Sequence, residues 1–386
     1  MNNIVYMVAC LITLIFPRSN SIWVFGNKKG FTDNTRYFFE HSSGIGKNKC
    51  IWLAASDPEL SEVKSLGYEA VKKDSILGIF YSLRSGVQFM CNGFGDLNRG
   101  LALGAKVVNF WHGTPIKKVY LDAEHDSKRF GKHLRFASRL ALATLNKFIF
   151  VYYASNSLEL NLITGAARIS RKKTACLGSP RFDYIRKTLL NPPTYQKIPK
   201  NSKVILFAPT WRENANWPDS YTLTDAEIST LGEILSLHEC SLILKPHPLT
   251  SLNEIIKWRI LEVKNVFIAS EIGMKDINEA YAISDLLITD ISSALFDYLI
   301  TGESIIFFMP DLDEYMTGDR GIYDYYREVI NSSCTKGWPE LINKIKIFLT
   351  GSKVTTSDLL FKITEEAKTK KRTCESIYND LQTRIQ

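Results

Sequence analysis

The stretch Lys106-Val107-Val108-Asn109-Phe110-Trp111-His112-Gly113-Thr114-Pro115-Ile116-Lys117-Lys118 decides how the chain is read. It opens on a short, mainly apolar run of the kind that forms a buried strand. Glycine and proline then punctuate a turn that carries a histidine and, behind it, two lysines. A strand ending in such a loop offers a proton acceptor beside positive charge. The arrangement returns at Leu242-Ile243-Leu244-Lys245-Pro246-His247-Pro248. Two strand-end histidines, each with a lysine close by, point to a cleft that handles phosphate.

Outward from these loops, short apolar runs alternate with helical patterns. Residues 21–26, 50–54, 86–90, 105–110 and 151–154 read as strands. Residues 57–66, 75–83 and 130–150 read as helices, and another begins near Ser157. Asp57-Pro58 supplies a cap and a proline suited to a first helical position. Residues 186–202 are polar and broken by Asn191-Pro192-Pro193 and Ile198-Pro199, the signature of a link. The alternation then restarts, with strands at 203–208, 241–245, 266–269, 286–289 and 304–309. Helices are expected at 224–237, 252–258, 274–283, 292–299 and 338–348, and from 357 onward. The expected fold is α/β, with two Rossmann-like domains facing across a cleft. Its segments are an apolar stretch at 1–20, α/β domains at 21–190 and 191–355, and a helical segment at 356–386. Open α/β sheets bind ligands beyond the carboxyl ends of their strands. Two facing sheets would therefore set His112 and His247 on opposite walls.

The chain has 386 residues, 45% hydrophobic and 23% charged, which is enough for two cores and excludes a disordered polymer. A formal net charge of +8 favours anionic partners: a nucleotide, a phosphorylated polymer or an anionic bilayer. Nucleic acid also suits the charge, but it does not account for the ordered histidine, serine and tryptophan loops. Seven cysteines with no C-x-x-C pair argue against a zinc site or a disulfide framework and for a reducing compartment. Residues 4–16 are almost wholly apolar, too short to span a bilayer comfortably, and read as a helix packed on the body or lying in the membrane surface. The cluster Lys128, Arg129, Lys132, His133, Arg135 and Arg139 would support the second reading by attracting anionic lipid.

Several side chains are candidates for chemistry. His112 can take a proton from an alcohol near neutral pH, with Asp122 or Asp126 to orient it and Lys117 and Lys118 to hold an anionic acceptor. His247, framed by prolines and beside Lys245, suits contact with a diphosphate or stabilisation of a departing phosphate. Asp290-Ile291-Ser292-Ser293 follows a strand, where serines cap a helix and leave N–H groups for a phosphate. Asp297, farther along, suits a sugar hydroxyl. Arg212 in Ala208-Pro209-Thr210-Trp211-Arg212 suits bidentate phosphate recognition, and Trp211 a stacked base or domain packing. Arg181 and Asp183, in Gly178-Ser179-Pro180-Arg181-Phe182-Asp183, would contact ligand or lock the domains together. Asp311 and Asp313 form an acidic pair in a turn with no accompanying ligand cluster, and no metal is inferred. Walker A, H-E-x-x-H and G-x-S-x-G patterns are missing.

Together these motifs resemble the CDP-glycerol glycerophosphotransferase family of teichoic acid and capsule synthesis. The matching stretches are Trp111 to Lys118, Ser179 to Asp183, Phe207 to Arg212, Lys245 to Pro248, Thr289 to Ser293, Phe296 to Tyr298, Asp311 to Tyr315, Arg320-Gly321 and Tyr323. The resemblance implies a GT-B-like architecture, an acceptor domain before a donor domain, and work at the cytoplasmic face of the bacterial cell membrane. It implies transfer of a polyol phosphate from CDP-glycerol or CDP-ribitol to a hydroxyl of a lipid-linked or capsular saccharide acceptor, with release of CMP. His112 would be the base. Gly113, Thr114, Lys117 and Lys118 would lie on the acceptor side. Arg212, Lys245, His247, Asp290, Ser292, Ser293 and Asp297 would hold the donor, with no cofactor required. Ile291 stands where many relatives have tyrosine, and Ala294 and Leu295 make that helix start a variant of its own. The chain reads as a compact priming enzyme, with a short polymerase as the alternative. Outside this class, a nucleotide-sugar glycosyltransferase and a noncatalytic anionic-polymer-binding protein are the competing readings.

Overall fold

The computed structural model describes residues 13, 15–123, 144, 146–210, 219–247, 250–274, 276–313, 321–352 and 358–386. Seven parallel strands build the first sheet: β1 (Ser19–Gly26), β2 (Lys49–Ala54), β3 (Ala70–Lys72), β4 (Ser85–Met90), β5 (Lys106–Asn109), β6 (Ile149–Ala154) and β7 (Thr174–Cys176). Six build the second: β8 (Val204–Ala208), β9 (Ser241–Leu244), β10 (Val266–Ile268), β11 (Leu286–Thr289), β12 (Ser304–Phe308) and β13 (Cys334–Thr335). The orders are β3-β2-β1-β4-β5-β6-β7 and β10-β9-β8-β11-β12-β13. Each sheet reverses its winding once, between β1 and β4 and between β8 and β11. Such a reversal opens a crevice beyond the strand ends. The central strands are buried on both faces, which is why they read as unbroken apolar runs rather than as alternation.

Some elements were not legible in the sequence pattern. Helix Asp33–Ile45 begins directly after the β1 loop, and helix Arg181–Leu190 occupies part of the expected link. Short strands β3 and β7 have too few residues to show a period. Most of the helix expected at 130–150, and the whole basic cluster from Lys128 to Arg139, lie outside the described residues. Its last two positions, Ile149 and Phe150, belong to β6, where Ile149 pairs with Val107.

The two halves are joined through an apolar seam and through polar contacts. Ile116, Phe182 and Ile185 pack in one buried cluster with Leu206, Leu295 and Tyr326 of the second sheet's domain. Tyr37 donates to Asp276 at 2.5 Å and accepts from Asn278 at 2.8 Å. At the end of the chain, helix Asp358–Thr369 buries Leu360 and Ile363 in that seam cluster. Helix Thr373–Ile385 then returns to the first sheet, burying Cys374, Ile377, Tyr378 and Leu381 beside Trp23 and Phe38. Among the described residues no helix is long and apolar enough to cross a membrane.

Replacing the fully buried Ile377 by alanine should cost the first domain about 2–5 kcal/mol, because the cavity cannot close against a sheet. A urea melt read by tryptophan fluorescence would show a lower midpoint. An unchanged midpoint would mean the returning helix does not support that domain.

Candidate active site

The His112 loop is built at the carboxyl end of β5. Asn109 turns its side-chain carbonyl back to accept from the Trp111 amide at 2.8 Å, and Trp111 takes a left-handed backbone with φ 54°. The next residue, His112, is half-buried, its ring 4.3 Å from the Trp111 ring. Its Nδ1 lies 3.3 Å from the Cys91 carbonyl, at the end of β4. A carbonyl can only accept, so this contact places the proton on Nδ1 and leaves Nε2 as a base. Asp122 does not orient the ring as the sequence suggested. Its carboxylate accepts instead from the Tyr323 hydroxyl at 2.9 Å. Asp126 lies outside the described residues. Burial pushes the imidazole down to about 4 against the pull of Asp33, and Lys29 and Arg181 push the same way. His112 is therefore neutral at pH 7.

Arg181 sits behind this loop and reaches both domains. Nη1 lies 2.7 Å from Asp33 Oδ1, while Nε and Nη2 lie 2.9 and 2.8 Å from Asp297 Oδ1. Nη2 also donates to the His112 carbonyl at 3.3 Å. Burial disfavours charge on this guanidinium, but Asp297 and Asp33 outweigh it and hold it protonated. Burial raises Asp297 to about 6 in spite of Arg181, so at pH 7 the pair remains ionised. Asp297 is thus committed to Arg181 rather than offered to a sugar hydroxyl. Asp183 is committed too: its oxygens accept from the Thr373 and Cys374 amides at 2.9 and 2.7 Å, capping the last helix.

Residues after His112 also face inward. Gly113 has φ 136°, and a Cβ there would lie 3.2 Å from Ser293 and 3.3 Å from Arg181. Only glycine lets the two walls approach so closely. Thr114 is fully buried, accepting from Asn156 at 2.7 Å and lying 3.4 Å from Glu159. Glu159 in turn accepts from Tyr152 at 2.7 Å and from Ser155. Lys117 forms an antiparallel bridge with Ile322, and the Lys118 amide donates to Gly321 at 3.1 Å. Thr114 is thus bonded within the first domain, while the Lys117 and Lys118 backbones tie the loop to the second.

Across the gap, Lys245 and His247 follow β9, with Lys245 partly buried and His247 exposed. Burial lowers Lys245, offset in part by Asp276 and Glu279. Burial and then Lys29 lower His247. Lys29, on the β1 loop, lowers both histidines electrostatically. Asp290 is buried and accepts from the Thr210 amide and hydroxyl at 2.9 and 2.5 Å, fixing the loop that leads to Trp211 and Arg212. Those two residues, and Pro248, lie outside the described residues. The Ser292 hydroxyl accepts from the Ala294 amide at 3.3 Å, at the start of the short helix Ala294–Tyr298. Among the described residues, no group of three or more His, Cys, Asp or Glu is arranged to hold a metal ion.

The site contains residues that sequence reasoning passed over: Lys29, Asp33, Asn34 and Asp96. Asn34 donates to the Trp111 carbonyl at 2.9 Å and accepts from the Arg181 amide at 3.3 Å. Buried Asp96 accepts from the Lys28, Cys91 and Asn92 amides at 3.0, 2.9 and 2.6 Å, shaping the loops on either side of the β1–β4 crevice. The available signal was Gly26-Asn27-Lys28-Lys29-Gly30, a strand-end loop with two lysines, the same logic that selected His112.

Two parallel Rossmann-like sheets with their strand ends turned to a shared cleft define a GT-B-like transferase fold. Consistent with it, the structure described as that of the wall teichoic acid polymerase TagF superposes with a TM-score of 0.73, at 20% identity, covering 100% of this chain and 96% of the other. The family model for CDP-glycerol:poly(glycerophosphate) glycerophosphotransferase matches residues 8–362, and the chain belongs to that family. A teichoic acid poly(glycerol phosphate) polymerase of Bacillus spizizenii is 27% identical over 339 residues, covering 83% of this chain and 81% of the relative. A teichoic acid glycerol-phosphate transferase of Staphylococcus aureus is 30% identical over 250 residues, covering 61% of this chain and 60% of the relative.

Histidine NMR on the full chain should find His112 titrating near 4, below the ordinary 6.5. The linkage sign follows: from pH 6.5 down to about 4 the unfolded chain takes this proton first, so His112 makes stability fall as pH falls. Asp297 acts oppositely between its ordinary 3.8 and about 6, so a pH melt blends the two and the NMR signal separates them. Arg181→Met should raise the His112 value, since a cation is removed and Asp33 remains, and should destabilise the chain by about 3–5 kcal/mol through the stranded carboxylates. A His112 signal that titrates at 6.5 and ignores Arg181→Met would contradict this electrostatic account.

Proposed function

We propose that this chain transfers glycerol phosphate from CDP-glycerol to a hydroxyl of a lipid-linked teichoic acid or capsular saccharide acceptor, releasing CMP. The observation that supports the reading is His112, its Nδ1 turned to the Cys91 carbonyl, on a strand-end loop that Gly113 brings against Ser293 and that Arg181 ties to Asp297 of the second domain. In this reading the first sheet's domain, with the segment at 1–20 before it, takes the acceptor. The second, from about residue 191 to 355, takes the donor, and the residues from 356 onward strap the two together.

The acceptor hydroxyl lies against His112 Nε2. Its oxygen attacks the β-phosphorus of CDP-glycerol, its proton passes to Nε2, and the bond from that phosphorus to the bridging oxygen breaks. CMP leaves with the bridging oxygen. Charge grows on the bridging and nonbridging oxygens during this step, and fixed cations that meet it there lower the barrier. In this reading Lys245, Lys29 and Arg212 supply that charge, and His247, which burial and Lys29 hold below the ordinary imidazole range, gives the diphosphate a hydrogen bond rather than a charge. Ser292 and Ser293 offer hydroxyls and amides to the diphosphate. Arg181 does no proton transfer; it fixes the His112 carbonyl and the facing Asp297. The work takes place at the cytoplasmic face of the cell membrane, where a lipid-linked acceptor is exposed.

His112→Ala should lower CMP release from CDP-glycerol by about 10²–10⁴-fold, with donor binding nearly unchanged, since a general base contributes on that scale. The assay uses purified chain, a lipid-linked saccharide acceptor, and CDP-ribitol in a parallel arm. A product heavier by one glycerol phosphate, formed only with acceptor, is expected. Unimpaired turnover in the variant would remove His112 from the chemistry. A sugar increment from a nucleotide-sugar donor would replace the transferase class itself.

A further inference from the structure

Beyond the His112 turn, two segments of different domains bond along their length. Residues 115–122 continue the histidine loop of the first domain, and residues 321–326 lead into helix Asp324–Ser333 of the second. The Lys117–Ile322 bridge is flanked on one side by the bond from the Lys118 amide to the Gly321 carbonyl. On the other side the Tyr323 amide donates to the Ile116 carbonyl at 3.0 Å. Ile116 and Ile322 are both buried in the seam between the domains. The Tyr323 hydroxyl fastens the outer end to Asp122 at 2.9 Å. The loop that carries the histidine in one domain is thus held by the other.

The first turn of helix Asp324–Ser333 then sends two adjacent tyrosines to two different loops. The Tyr325 hydroxyl donates to the Pro115 carbonyl at 2.6 Å, just after His112-Gly113-Thr114. The Tyr326 hydroxyl donates to the Asp290 carbonyl at 2.6 Å, just before Ser292 and Ser293. Tyr326 is fully buried, its ring edge-on to Phe307 of β12 at 6.1 Å. Tyr325 is partly buried, its ring 6.5 Å from Phe296 of the helix that follows Ser293. Burial pushes the Tyr325 phenol up, so at neutral pH it keeps the proton it donates. Packing fixes where the rings lie, and each hydroxyl then fixes a main-chain carbonyl. A carbonyl so held orients its whole planar peptide unit. One helix start is therefore the common reference for the loop of the base and the loop of the donor serines.

We propose that Tyr325 and Tyr326 are positioning residues that align His112 with a donor held at Ser292 and Ser293. Neither touches substrate. Tyr325 acts through the Pro115 carbonyl on the histidine loop, and Tyr326 through the Asp290 carbonyl on the donor loop. The inference rests on the transfer reaction proposed above and adds the pair that brings its two halves into register. Such alignment matters because a misplacement of about 1 Å can cost on the order of 10²-fold in rate.

The test is a double-mutant cycle on the full chain, read as CMP release from CDP-glycerol with a lipid-linked saccharide acceptor. Tyr325→Phe keeps the ring and removes the bond. It should lower kcat about tenfold or more, with the donor KM and the melting midpoint near wild type. In the His112→Ala background the same change should cost less than about twofold, because the base it positions is gone. Tyr326→Phe should instead raise the donor KM by about three- to tenfold, the scale of one hydrogen bond. A Tyr325→Phe enzyme with wild-type kcat would overturn the proposal. So would an equal loss with and without His112, or a loss that tracks a fallen melting midpoint, since either marks a bond that serves folding alone. An unchanged donor KM in Tyr326→Phe would remove that residue from the pair. A wild-type chain that releases no CMP, or a His112→Ala chain that turns over unimpaired, would remove the reaction and this inference with it. Those two failures are read without the tyrosine variants, so they are told apart from a failure of the pair.

Discussion

Arg181 is the interaction on which the site depends. It is one guanidinium removed from water, held by Asp33 at the start of the first domain's helix and by Asp297 in the second domain. An isolated charge so placed would cost several kcal/mol. Two carboxylates and the His112 carbonyl offset that cost only while both domains are in place. The same side chain therefore closes the cleft, positions the histidine loop and sets part of its electrostatics. Asp33 pays a local cost for its place, with a left-handed backbone at φ 65°.

Around this link the structure repeats one device. Strand ends supply the chemistry, and buried polar side chains hold the loops that carry it. Asp96 shapes the β1 and β4 loops, Glu159 anchors Thr114, and Asp290 fixes Thr210. Each is a carboxylate spent on hydrogen bonds within the protein. The groups then left to face the cleft are mainly basic, as suits a donor with two phosphates. Gly113 completes the arrangement, since a side chain there would keep Ser293 from the histidine loop.

The sequence carried the fold well because parallel strands buried on both faces leave continuous apolar runs between turn residues. β8, β9 and β11 fall within a residue of their expected ends. It carried the histidine loops for the same reason, since glycine and proline mark them. It did not carry the roles of Asp297 and Asp183, because a carboxylate on a helix reads alike whether it meets a sugar, an arginine or a helix amide. Lys117 and Lys118 read as charges that hold an anionic acceptor, yet their backbones are enlisted in an interdomain bridge, a contact over 200 residues away that no local pattern encodes. Helix Ile76–Arg84 was legible as a helix, but that it turns Gly78 and Ser82 inward and leaves Ile76 and Phe80 exposed depends on the Lys72 and Lys73 carbonyls that Gly78 rests against.

The most direct measurement is a structure of the full chain with CDP-glycerol bound. The account predicts the diphosphate between Lys245, His247 and the Ser292–Ser293 turn, with the Arg181 link intact and the β-phosphorus facing His112 Nε2. A nucleotide bound outside this cleft, or a β-phosphorus turned away from His112, would contradict it.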